Sequence, residues 1–342
     1  MGRIQTKKRI DWIDCAKGIT IMLVILGHTV RFDTEAERLI RGGIFSFHMP
    51  LFFILSCATF RFSEDTSQYC SKLKKAFRHL VIPVFILYGI RIAVFLIKEQ
   101  GDIHWSAYIA DRINALVFSS GVEVNISGGT VSALGMLWFL VALFVGRSLF
   151  DLLHLKLRTV PFFILIGICT AAGLILGSIQ WLPLSFDVVL AIMPFFLFSI
   201  VIKKADIKNK ALLWLFVTLA VWGLTFAYSY YVHNTYLELS VRRYPLFPLC
   251  YVTAIAGTMF VSYSSVFISK LGFFGKGIVW LGKNSIYLFC VHELDGNISF
   301  LWQLTGNKVS DGFIRIAVDI AFCIVVANIA NLISMKLNRI KE

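Results

Sequence analysis

About ten stretches of roughly 17 to 25 residues, almost free of charge, restrict this chain to one medium in which it can fold, a lipid bilayer. They lie near 16–30, 44–62, 79–97, 133–153, 160–177, 184–202, 211–232, 245–267, 277–292 and 313–335. Backbone polar groups inside a bilayer must be satisfied internally, so only helices and closed barrels cross it. The predicted fold is therefore all-α: a polytopic integral membrane protein of about ten transmembrane helices, organised as a single domain over 1–342. Hydrophobic residues make up 58% of the chain and charged residues 15%, which excludes an ordinary soluble domain. Basic residues precede the first run, as in a signal peptide. A small-residue cleavage pattern is missing and Arg31 and Asp33 follow, so the run reads as a retained first span.

Loop charge gives the orientation. Lys and Arg concentrate in the N-terminal arm, in 61–78, 147–158, 203–210 and 270–283, and in the tail after Lys336, whereas the alternate loops carry Asp102, Asp111, Glu123, Glu238 and Asp311. The positive-inside rule then makes both termini cytoplasmic. The net charge of +13 is mainly an inner-leaflet signature. No basic run is interleaved with aromatics, so nucleic acid is not an expected partner. The seven cysteines form no CxxC pair and lie mostly within spans, where they read as free and packed. The longest outer connection, 98–132, holds Trp105, Tyr108 and the Gly128-Gly129 turn and reads as a lid or an amphipathic surface segment.

Three histidines stand out against this background. His28 lies near the outer end of the first span, His48 begins the second, and His292 ends the ninth, so all three fall toward the outer leaflet. Ionisable groups at membrane depth are costly, and several at one level point to a built site. Ten residues separate Lys17 from His28. Eleven helical steps return to within about 20° of the same face, roughly 16 Å along the axis. One stripe thus joins an inner-side ammonium to an outer-side imidazole, and Asp14 shares it, either as an interfacial ion-pair partner of Lys17 or as part of the site.

The stretch Ile13-Asp14-Cys15-Ala16-Lys17-Gly18 leading to Gly27-His28, followed by Phe47-His48-Met49-Pro50-Leu51-Phe52-Phe53, resembles the opening of the acyltransferase family 3 membrane proteins, particularly their fucose O-acetylase-related branch. Trp138-Phe139-Leu140 and the late Leu281-Gly282-Lys283-Asn284-Ser285 ending at His292 are similar to further motifs of that family, in the same order. The resemblance implies a ten-helix enzyme of the cell membrane, in bacteria the plasma membrane, that moves an acetyl group from acetyl-CoA to a hydroxyl of a surface carbohydrate or its lipid-linked precursor. It also implies functional roles for Lys17 and His28, with Lys where many members have Arg. Lysine offers a phosphate a point charge but not the bidentate fork of arginine. Ser56-Cys57 departs from the family's usual glycine, and Lys74-Lys75-Ala76-Phe77-Arg78-His79 takes the place of its Arg-rich segment.

Thioester acyl transfer to a sugar hydroxyl needs a base beside the attacking oxygen, and neutral histidine suits that task. His28 is the candidate base or acyl acceptor, with His292 and Asp14 completing the catalytic candidates. Asp295 or Glu293 is expected to orient an imidazole, and His48 or His292 to bind the sugar or polarise the carbonyl. Direct transfer and an acetyl-histidine intermediate are both compatible with the sequence. Acetyl-CoA is the expected donor, its phosphates at Lys17, Lys74, Lys75, Arg78 and His79; ordinary positive-inside anchoring accounts for the same charges. No metal is expected. His48, Arg91 and Trp138 are the substrate-binding candidates, Arg91 because it lies deep in an apolar run. Arg315 and Asp319 are spaced to pair on one helix. Outer residues Arg31, Arg38, Arg41, Arg242 and Arg243 form a cationic rim for a sugar phosphate or for membrane lipid headgroups, and Trp105, Tyr108, Trp181 and Tyr236 offer stacking faces or an interfacial belt. A transporter or flippase for a glycan or small solute is the competing class, but no internal repeat favours it.

Overall fold

The structure is a computed structural model that describes residues 9–30, 32–99, 101, 103–126, 129–157 and 160–339. Arg31, Asp102 and Gly128 lie outside the described residues. In chain order the helices are α1 (Asp11–Thr29), α2 (Glu35–Phe45), α3 (His48–Ala58), α4 (Thr66–Ala76), α5 (Ile82–Lys98) and α6 (Trp105–Phe118). A hairpin, β1 (Val124–Ile126) and β2 (Gly129–Val131), follows, then α7 (Trp138–Lys156), α8 (Val160–Ile179), α9 (Phe186–Ala191) and α10 (Met193–Lys204). The chain continues through α11 (Ala211–Ala227), α12 (Leu249–Ile268), α13 (Gly272–Lys283), α14 (Ser285–Leu294) and α15 (Lys308–Arg339).

Among the described residues eight helical segments are long and apolar enough to cross a membrane, or nine if the bent α9–α10 pair is one span. The architecture is that of an all-α, multi-pass membrane protein. The ninth stretch, expected over 277–292, is two helices of 12 and 10 residues that meet at Asn284. There the Asn284 amide donates to the carbonyl of Trp280 at 2.9 Å, giving the chain a polar alternative to a continuous ladder. The sixth stretch bends by 56° between α9 and α10. Pro194, one residue into α10, has no N–H to continue the ladder and fixes the break. Pro50 acts alike at the start of α3, so the second span is α2 and α3 joined through Ser46 and Phe47.

The chain divides into two compact units. The first comprises Met1–Leu51, Asp206–Thr235 and Pro248–Glu342. Within it α1 packs against α2, α12, α13, α14 and α15. The contact with α13 is backbone on backbone: a Cβ on Gly282 would fall 1.6 Å from the carbonyl oxygen of Asp14, and one on Gly18 would fall 2.2 Å from that of Ile278. Small residues let membrane helices approach this closely, and packing supplies the association that lipid cannot. Cys15, Ile278 and Val279 form the buried cluster beside the contact. On α11, Trp222 stacks on Phe260 of α12 at 5.8 Å and donates to the Ser46 hydroxyl at 3.0 Å.

The second unit comprises Phe52–Ala205 and Tyr236–Phe247. Its core is aromatic, with Phe53 against Phe139 at 5.3 Å and Phe150 against Phe196 at 5.8 Å. Asp151 is buried there and accepts from the Ser63 amide and hydroxyl at 2.8 and 2.7 Å. The outer connection forms α6 and the hairpin. Trp105, Ile109, Ile113 and Val117 lie four residues apart on α6 and are all exposed, the stripe of an amphipathic surface helix. Arg112 on the same helix pairs with Asp111 and bonds Ser132 at 2.7 Å, tying the helix to the strand end.

Candidate active site

The first unit gathers the histidines. The rings of His28 and His292 stand 5.8 Å apart between centroids, and Phe45 packs edge-on against His28 at 5.4 Å and lies 4.6 Å from His48. The layer expected from span ends is therefore present as contacts among α1, α2, α3 and α14. His28 retains accessible surface, whereas His48 and His292 are buried. His48 is tied to its own chain, with Nδ1 3.1 Å from the carbonyl oxygen of Ile44.

His292 carries the acidic partners. Its Nδ1 lies 3.1 Å from an oxygen of Asp295 and 3.1 Å from one of Asp319. An imidazole nitrogen facing two carboxylates is the N–H nitrogen, which leaves the lone pair of a neutral ring on Nε2. That Nε2 is buried and has no hydrogen-bond partner among the described residues. An unsatisfied buried acceptor costs about 1–3 kcal/mol, so the site favours a donor supplied from elsewhere, such as a substrate hydroxyl.

Arg315 balances the acids. Its Nε donates to Asp295 at 2.6 Å, one terminal nitrogen to the other Asp295 oxygen at 2.5 Å, and the second to the Thr29 hydroxyl at 3.2 Å. Trp302 covers the guanidinium, with its ring centroid 4.3 Å away. Burial opposes ionisation of Asp295, but the hydrogen bonds from Arg315 and His292 outweigh it and hold the carboxyl below the usual carboxylate range. The pairing expected between Arg315 and Asp319 on one helix is replaced by a tertiary one: the bidentate partner of Arg315 is Asp295, and Asp319 turns to His292. A planar fork matches a carboxylate better than a neighbour along the helix can, which explains the exchange. His292, Asp295 and Asp319 bring three potential metal ligands within 4.8 Å of one another. Both oxygens of Asp295 accept from Arg315, so the cation that this cluster meets in the structure is a guanidinium.

Arg41 completes the layer. It donates to the carbonyl oxygen of Gly27 at 2.8 Å and lies over the Phe45 ring at 3.9 Å, which sets a cation beside the end of α1. At the other end of α1, Lys17 and Asp14 are both half-buried, and the ion-pair partner of Asp14 is Arg9 at 3.8 Å. Lys283 reaches Asp11 at 3.9 Å.

Lys74, Lys75, Arg78, Arg91 and Trp138 belong to the second unit. Lys74 and Lys75 end α4, and Arg78 and His79 follow in a π-helical turn, all four exposed. Arg91 donates to the carbonyl oxygen of Leu134 at 2.7 Å, next to the left-handed Gly135, a structural bond that holds the turn before α7. Trp138 is buried, and a Cβ on Gly121 would fall 2.7 Å from its indole. Two members of the expected outer rim pair with its aromatics: Arg242 lies over Trp181 at 3.5 Å and Arg243 over Tyr236 at 5.7 Å. Sequence reading gave no role to Thr29 or Trp302, and none to Arg315 beyond a local pair. The signal for Arg315 was available, since a guanidinium inside a lipid-grade span must have a buried partner.

Residues 10–332 match an acyltransferase domain family, which is nearly the whole described chain and includes every residue of the histidine layer. No curated protein matches the chain.

Proposed function

The chain belongs to the acyltransferase family 3 membrane proteins, and from that premise we propose that it carries acetyl from cytoplasmic acetyl-CoA to a hydroxyl of a cell-surface carbohydrate or its lipid-linked precursor. The membrane is then the bacterial plasma membrane, with both termini cytoplasmic. The likeness of its opening motifs to the fucose O-acetylase-related branch supports a sugar acceptor. One observation carries the chemistry: His292 Nε2 is buried and without a hydrogen-bond partner among the described residues, on a ring that Asp295 and Asp319 hold through Nδ1 and whose centroid lies 5.8 Å from that of His28.

In this reading the acceptor hydroxyl gives its proton to His292 Nε2 as its oxygen attacks the thioester carbonyl carbon. The imidazolium that forms is stabilised by the two carboxylates. His28, the accessible imidazole, stands at the carbonyl and donates an N–H to the oxygen on which negative charge develops. The tetrahedral intermediate then collapses, the carbon–sulfur bond breaks, and the thiolate of CoA leaves with the proton returned by His292. The products are the acetyl ester and CoA. Lys17, on the same helix as His28, takes a phosphate of CoA; Lys74, Lys75 and Arg78, in the second unit, are phosphate-binding candidates in their own right.

The decisive measurement is the O-acetyl content of surface glycans in cells with and without this protein. Loss of one defined ester is expected. Unchanged glycans, together with purified protein that neither binds nor consumes acetyl-CoA, would overturn the reading.

A further inference from the structure

Thr29, the last residue of α1, makes two hydrogen bonds through one hydroxyl. It donates to the carbonyl oxygen of Ile25 at 2.8 Å, one turn back, which leaves its oxygen lone pairs as acceptors. Arg315 of α15 donates to that oxygen at 3.2 Å. Thr29 is 4% exposed and Arg315 8%, so the bond is made away from water. Gly312, one turn before Arg315, lets α15 come this near: a Cβ there would fall 2.6 Å from Leu26 Cδ1 and 3.6 Å from the Cβ of Thr29.

The guanidinium is planar, and all three of its nitrogens are used. Nε and one terminal nitrogen donate to Asp295 at 2.6 and 2.5 Å, and the other terminal nitrogen donates to Thr29. That plane fixes where the end of α1 stands relative to the Asp295 carboxylate. His28 precedes Thr29 in the chain, and His292 Nδ1 lies 3.1 Å from Asp295. The circuit runs from His28 through Thr29, Arg315 and Asp295 to His292, and closes across the 5.8 Å between the two rings. His292 needs such a frame. Its helix, α14, has 10 residues and runs into a 3-10 turn, so it lacks the length of a full span to fix its depth. Trp302, which follows that turn, covers the guanidinium at 4.3 Å.

We infer that Thr29 is a positioning residue for the transfer step: through Arg315 its hydroxyl sets the gap between His28 and His292. Misplacing reacting groups by about 1 Å costs up to about 10²-fold in rate. The inference rests on the acetyl-transfer reading and adds to it a residue that acts through its neighbours.

The test is steady-state acetyl transfer by the full-length protein in nanodiscs, with acetyl-CoA binding measured on the same preparations. Thr29→Val keeps the shape of the side chain and removes the hydroxyl. It should lower kcat about 10- to 100-fold and leave the KM for acetyl-CoA within about twofold of normal. Thr29→Ser keeps the hydroxyl and should retain most of kcat. If Thr29→Val does not insert, Thr29→Ala makes the same comparison. Thr20→Val is the control, since Thr20 is also buried on α1 and donates to the carbonyl oxygen of Ala16 at 2.8 Å, nine residues from the tether. It should leave kcat unchanged. A second readout separates positioning from support of the fold. With His28 replaced by Ala no gap remains to be set, so adding Thr29→Val should change the residual transfer by less than about twofold. The same loss in both backgrounds, or a Thr29→Val protein near the normal kcat, would overturn the inference and leave the transfer reading standing. Absent transfer and absent acetyl-CoA binding in the unaltered protein would refute the transfer reading and this inference with it.

Discussion

His28 and His292 face each other with ring centroids 5.8 Å apart, and two carboxylates hold only the second. The two imidazoles are thus unequal: one is fixed and buried, the other accessible. If both act on the same acyl transfer, His28→Ala and His292→Ala should each lower acetyl transfer by about 10²–10⁴-fold while CoA binding persists. Transfer by purified variants, measured with CoA binding, checks this. A His28 variant near the normal rate would remove that residue from the chemistry, and a His292 variant near the normal rate would return the base's role to His28.

Lys17 shares a helix with His28 but not its task. A phosphate contact predicts that Lys17→Ala raises the KM for acetyl-CoA about 10- to 100-fold, the worth of a charge-assisted bond, with kcat less affected. Lys17→Arg should keep most of the affinity because the charge remains. Equal loss in both variants, with insertion normal, would argue for a proton-transfer role instead.

The close approach of α1 and α13 sets where Lys17 and the histidine stripe stand. Gly282 allows it, since any Cβ there would overlap the Asp14 carbonyl. Gly282→Ala must therefore push the helices apart, and it should destabilise the protein by about 1–3 kcal/mol or more. Thermal unfolding in detergent should show the loss, whereas Gly277→Ala, where a Cβ would meet nothing within 4 Å, should be nearly silent.

Orientation is open to direct measurement. With the positive-inside reading, single cysteines at Lys208 and in the tail after Lys336 should resist an impermeant thiol reagent applied to cells, and one at Asn234 should react. The reverse pattern would exchange the donor and acceptor faces.

Apolar length and loop charge made the membrane fold legible, because in a bilayer the backbone requirement leaves so few choices. The histidine layer was legible for the same reason: depth along a span is readable from position. Pairing across helices was not. Arg315 and Asp319 satisfy a local spacing rule, and nothing in that spacing reveals that the turn after α14 brings Asp295 to the guanidinium. Arg91 is similar. Its depth marked it as needing a polar partner, but that partner is the backbone carbonyl of Leu134, 43 residues away. The break at Asn284 was hidden because an apolar run describes composition, not the continuity of its ladder.

Arg315 and Asp295 form a buried pair whose two halves should behave very differently when removed singly and together. Both are nearly inaccessible, and two bonds of 2.6 and 2.5 Å join them. Arg315→Gln leaves the Asp295 carboxylate buried without its cation, a change that should destabilise by about 3–5 kcal/mol. Asp295→Asn alone strands the guanidinium and removes one acceptor from His292 Nδ1. In the double variant neither charge is left unpaired, so stability should recover most of the loss, since replacing both members of a buried pair is often near neutral. Activity should not recover with it, because His292 then keeps only Asp319 to hold its tautomer. Unfolding midpoints for the four proteins of this cycle, with acetyl transfer on each, separate the roles. Full recovery of transfer in the double variant would mean that Asp295 serves the fold alone and that Asp319 is sufficient to orient the imidazole.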